Sequence, residues 1–138
     1  MKQRVESITV GTRRGLNDIT EEVARVVAQA GVRTGLCTVF IRHTSASLVI
    51  QENADPAVRD DLEAFLSRLV EDGDPSFTHV AEGPDDMPSH VKAALTRTSE
   101  QIPIVEGRLG LGTWQALYLW EHRSAPHHRT ILVHVAGE

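Results

Sequence analysis

Cysteine is nearly absent from this sequence: Cys37 stands alone in 138 residues, so no intramolecular disulfide can form. A chain without bridges fits a reducing compartment. Cys37 itself lies in an apolar, strand-like run and reads as a buried thiol rather than a nucleophile. Aromatic residues make up only 4%, which leaves a core of Val, Leu, Ile and Ala. There is no basic excess either. The net charge of −5 argues against a general nucleic-acid binder, which carries a basic face or stripe. It leaves room for a small anionic metabolite, because a few local cations can overrule the global sign. No run approaches the ~20 apolar residues needed to cross a bilayer, and Met1 to Glu6 lacks the apolar stretch of a signal peptide. The expected location is the cytoplasm, with no membrane partner. Three chemical signatures are missing as well: a Gly-x-x-x-x-Gly-Lys-Ser/Thr loop, a His-Glu-x-x-His pair and a Gly-x-Ser-x-Gly elbow. Gly107, Gly110 and Gly112 sit between strand candidates and read as hairpin geometry, not as a dinucleotide fingerprint.

What is present suffices for one domain spanning 1–138, with 41% hydrophobic residues to build a single core. Residues 3–10 alternate loosely as a strand, closed by a turn from Gly11 to Gly15. Ile19, Val23, Val26, Val27 and Ala30 share one face of a helix over 20–30, capped by Asp18 or Thr20 and ended by Gly31. Strands follow over 36–42 and 47–51. Asp55-Pro56 then opens a second helix, with Val58, Leu62, Phe65, Leu66 and Leu69 as its apolar stripe. Beyond a long polar stretch, 71–89, residues 90–97 make a short helix. The period returns to two over 101–106, 108–112, 114–123 and 129–136, with short turns that imply antiparallel pairing. Two main helices and one short one, set among mostly antiparallel strands, give an α+β, sandwich-like fold.

Five places are candidates for chemistry beyond the needs of folding. His43, followed by Thr44 and Ser45 between two strands, suits metal ligation, proton transfer or a structural role. Glu52 and Asn53 follow an apolar strand and require partners if buried. Arg59 lies in the first turn of the next helix, where backbone N–H groups favour an anion. The segment from His79 to His90 packs two histidines and the carboxylates Glu82, Asp85 and Asp86 into twelve residues. Imidazoles there favour zinc, while carboxylates alone favour magnesium. Glu121 falls on the same row as Leu117 and Leu119. A carboxylate on a core-facing row is costly unless it is paired or placed in a cleft, which makes Glu121 a functional candidate. The alternative is that the strand end leaves the core there and Glu121 simply meets Arg108 or Arg129.

The stretches Gly35 to Ala46, Glu52 to Leu62, His79 to Lys92, Ile102 to Gln115, Glu121-His122-Arg123 and Gly137-Glu138 together resemble the YjbQ-like family, in order and over nearly the whole chain. The resemblance implies a compact α+β fold, assembly as a homotrimer and an association with a secondary thiamine-phosphate synthase activity. In that reaction a thiazole-phosphate nitrogen attacks a pyrimidine-methyl diphosphate and diphosphate departs. The expected catalytic set is His43, Glu52, Asn53, Gln115 and Glu121. The expected metal ligands are His43, His79, Asp86 and His90, holding a divalent ion, Mg²⁺ or Zn²⁺. Arg59, Lys92 and Arg108 are the candidates for binding the phosphates of a small phosphorylated metabolite. A non-catalytic metal- or metabolite-binding module and a metal-assisted hydrolase are the rival expectations.

Overall fold

The computed structural model describes residues 1–138. Alternation at period two produces the first strand, β1 (Lys2–Thr12), with Ile8 and Val10 turned inward and Val5, Ser7 and Thr9 outward. The chain turns at residues 13–14, within the expected 11–15, into a short β2 (Gly15–Asp18) that the pattern did not indicate. Helix α1 (Thr20–Ala30) buries Val23, Val26 and Val27 as its spacing predicts, and Gly31 ends it with a left-handed φ of 66°. There follow β3 (Gly35–Ile41), β4 (Ala46–Glu52), α2 (Pro56–Leu69), α3 (Asp86–Leu95), β5 (Ser99–Val105), β6 (Arg108–Leu109), β7 (Gln115–Glu121) and β8 (His127–Gly137).

All strand pairs are antiparallel, in two sheets ordered β1-β8-β3-β5-β6 and β2-β7-β4. The β7–β8 connection is therefore not a hairpin: residues 122–126 cross from the small sheet to the large one. Between the sheets lies one core, where Cys37, Val39, Ile41, Ile131, Val133 and Val135 meet Leu48, Leu117, Leu119 and α1. Burial pushes the Cys37 thiol up to about 11, as expected of an inert core cysteine. The far face of the small sheet is covered by α2 and α3. There Trp120 Nε1 donates to Glu63 at 2.8 Å and Arg59 lies over the Tyr118 ring. At the end of the large sheet, β3 and β8 approach so closely at Gly35 and Gly137 that a Cβ on either would meet backbone within 2.2 Å.

Two helices differ from expectation. Asp55 caps α2 as predicted, accepting from Ala57 N–H at 2.9 Å. The helix is rotated, however, so that Leu66 is buried while Phe65 and Leu69 are exposed. Helix α3 begins at Asp86, four residues earlier than the pattern suggests, because Pro88 falls in the first turn, where its missing N–H costs nothing. No helix is long and apolar enough to cross a membrane.

Candidate metal centre

The early start of α3 is what builds the site. Asp86 and His90 lie four residues apart and so share one face of the helix, while His79 reaches in from the preceding loop. One ligand atom from each of His79, Asp86 and His90 falls within 4.8 Å of the other two. Asp86 is buried, with Oδ2 2.7 Å from His79 Nε2 and 3.2 Å from His90 Nε2. Its other oxygen meets the Arg123 guanidinium at 2.9 Å. Arg123 also donates to Asp85 and to the Glu82 carbonyl, fastening the loop to the β7–β8 crossing. Burial works against the Asp86 carboxylate. Hydrogen bonding with His79 and Glu82 and the charges of His90 and Arg123 outweigh it and hold its pKa below the ordinary value. At Asp85 the Arg123 hydrogen bond lowers the pKa to about 2.

The tautomer of His90 constrains what this cluster can hold. Its Nδ1 lies 2.8 Å from the Thr44 carbonyl, an acceptor only, so Nδ1 carries a hydrogen. Neutral His90 then presents a lone pair at Nε2, facing the lone pairs of Asp86 Oδ2. That contact is favourable only if a cation, proton or metal ion, sits there. An imidazole whose other nitrogen donates to a backbone carbonyl is the usual outer support of a metal-ligating histidine. Two imidazoles and a carboxylate match the three-ligand sets of catalytic metal sites. The residues present therefore fit a divalent ion.

The UPF0047 protein YjbQ-like family model matches residues 6–138. UPF0047 protein sll1880 of Synechocystis sp. is 54% identical, over 99% of this chain and 94% of its own. UPF0047 protein YjbQ of Escherichia coli O157:H7 is 42% identical, over 91% of each. This chain belongs to the YjbQ-like family. A crystal structure of an uncharacterized YjbQ/UPF0047 family protein from Clostridium acetobutylicum superposes with a TM-score of 0.86 at 34% identity, covering 95% of this chain and 99% of that one. A hypothetical protein from Aeropyrum pernix K1 gives 0.86 at 30%, covering 98% and 99%.

In this YjbQ-like chain the remaining expected site residues are scattered. His43 stands beside the cluster but outside its ligand set, since its Nε2 accepts from the Thr130 backbone N–H at 2.7 Å. Glu52, Asn53 and Gln115 gather at the opposite end of β4 and β7, about 20 Å along the strands from the His43 end. Their bonds are local: Glu52 accepts from Asp55 N–H, Asn53 donates to the Thr113 carbonyl and Gln115 accepts from Gly112 N–H. Glu121 is wholly buried between Arg129 and Thr12, so the strand end does not leave the core there, although Arg129 is one of the two partners expected. Burial raises its pKa, but Arg129 and Thr12 more than offset that and leave it lowered. Arg59 donates to Tyr118, and Arg108 sits on the exposed β6 hairpin, near the end of β3 farthest from His43. Lys92 is buried, with Nζ lacking any hydrogen-bond partner, and so cannot reach a phosphate in solvent. Arg123, in turn, carried no sequence signal beyond its place in Glu121-His122-Arg123. Its role depends on the crossing that brings it to Asp85 and Asp86.

Proposed function

We propose that this protein is a divalent-metal-dependent enzyme acting on a small phosphorylated metabolite, with His79, Asp86 and His90 as the metal ligands. The observation that carries the reading is the convergence of His79, Asp86 and His90, whose ligand atoms lie within 4.8 Å of one another, with His90 Nδ1 at the Thr44 carbonyl and Nε2 turned to Asp86. Two imidazoles favour Zn²⁺ or a similar transition ion over Mg²⁺. Such an ion supplies charge stabilisation to a departing phosphate or diphosphate.

A cleft of about 390 Å³ opens on the His79 side, lined by Phe77, Val80, Met87, Pro84 and Pro88 among others. Its apolar walls suit the organic ring of a substrate. The family resemblance points to the coupling of a pyrimidine-methyl diphosphate with a thiazole phosphate, and the cleft and metal ligands accord with a heterocycle that bears a diphosphate leaving group. The assay is to supply both substrates to metal-loaded protein and follow thiamine phosphate and diphosphate. Product that appears only with metal, and not in His90→Ala, supports the synthase reading. Phosphate release without the thiazole acceptor replaces it with a hydrolase. Tight metal binding with no turnover replaces it with a binding module.

Assembly as a homotrimer belongs to the same reading. It is supported by the outer face of the large sheet, where Val5, Leu36 and Phe40 are 62%, 39% and 45% exposed beneath no covering element.

A further inference from the structure

Two grooves meet at His43. One, of about 310 Å³, runs from His43 and Thr44 past His90 to Ala93, Ala94 and Thr98. The other, of about 230 Å³, is formed by Arg42, His43 and Thr130. His43 alone lines both. Its tautomer is set by the backbone: a Thr130 N–H can only donate, so His43 Nε2 is the bare nitrogen. The neutral ring therefore carries its hydrogen on Nδ1, which has no protein acceptor and remains available as a donor. Arg42 is exposed, and its backbone N–H, not its guanidinium, is what binds the Thr130 carbonyl. The guanidinium lies outside every ion pair of the molecule. In contrast, the larger cleft on the His79 side contains no lysine or arginine, and its lining includes the acid Asp74.

We propose that His43 and Arg42 form an oxyanion subsite beside the metal ligands, His43 donating from Nδ1 and Arg42 supplying charge, which takes the phosphate or diphosphate end of the substrate. Thr44 lines the larger of the two grooves beside His43. The substrate then lies across the cluster, its organic part in the apolar cleft and its phosphate on the His90 side. This deepens the metal-enzyme reading and rests on it for the substrate class, but anion binding itself needs no metal. The assignment also changes the expected role of His43 from metal ligand to donor, as its bond to Thr130 requires.

The test uses inorganic phosphate and diphosphate as probes, titrated calorimetrically into chelator-treated, full-length protein and into Arg42→Ala and His43→Ala. Loss of one charge-assisted contact predicts affinity for diphosphate falling about 10-fold or more in each variant. Arg42 is exposed, so its variant keeps the fold whatever His43→Ala does. Unchanged affinity in Arg42→Ala overturns the subsite, as does failure of the wild type to bind either anion at millimolar concentration. Nitrogen-15 spectra should show neutral His43 protonated at Nδ1; an Nε2–H tautomer overturns the assignment. Metal content distinguishes the two proposals. An ion retained in both variants with unchanged diphosphate affinity leaves the metal centre standing and removes the subsite. Anion binding by a wild type that takes no metal does the reverse.

Discussion

Glu121 shows how one residue can look functional from its position and be structural by its contacts. Alternation along β7 places it on the core row with Leu117 and Leu119, which is legible in the sequence. Its partner Arg129 lies eight residues on, beyond the crossing, and pairs with it only because β8 returns in the other sheet. Removing one member of a buried pair leaves an uncompensated charge, so Glu121→Ala should cost about 3–5 kcal/mol in urea unfolding. Glu121→Leu combined with Arg129→Met should recover most of that; an unchanged midpoint for Glu121→Ala would contradict the structural role. His122 gives a pH signature. Its ring is buried, with Nε2 2.9 Å from Ser47 Oγ. Burial, then the Lys92 charge, depress its pKa to about 3. The unfolded chain takes up this proton near pH 6.5 and the folded chain does not, so stability is complete above that value and declines as pH falls toward 3. His43, lowered by burial and then by Arg129, acts in the same direction. The wild type should lose about 2 kcal/mol between pH 7 and pH 5 through His122. His122→Gln should flatten that slope, and an equal slope in the variant would refute the assignment.

At the scale of elements, sequence pattern served α1 well and α3 badly. The burial of Val23, Val26 and Val27 follows from spacing alone. The start of α3 does not, because Pro88 reads as a breaker unless one knows that it occupies the first turn. With the helix started at His90, Asp86 would be a loop acid. With the helix started at Asp86, it shares a face with His90 and a metal set emerges. The composition of the His79–His90 segment was visible beforehand, but its geometry was not. The same holds for Glu52, Asn53 and Gln115, whose types suggest chemistry and whose register, Glu52 opposite Gln115, places them at the end of the small sheet far from His43. Arg123 joins the β7–β8 crossing to the start of α3 through Asp85 and Asp86. Arg123→Ala should therefore weaken metal binding about 10–100-fold by freeing the Asp86 carboxylate. A metal titration of the variant checks this, and an unchanged dissociation constant would show that Arg123 does not position the ligand.

At the scale of the whole molecule, the two sheets and the α2–α3 layer leave one broad surface uncovered, the outer face of β1-β8-β3-β5. Apolar side chains on an open sheet face are the usual mark of an interface between chains. Phe40→Asp should lower the mass measured by light scattering from trimer to monomer, and a monomeric wild type would remove the trimer from the account. The fold's larger consequence is that it assembles the loop before α3, the β3–β4 turn and the β7–β8 crossing around a single carboxylate. Elemental analysis of tag-free protein, wild type beside His79→Ala and Asp86→Ala, tests that convergence most directly. The account predicts a stoichiometric divalent ion of the zinc type in the wild type and its loss in both variants while each stays folded. A wild type that holds no such ion after exposure to zinc, or variants that retain it, would contradict the metal centre.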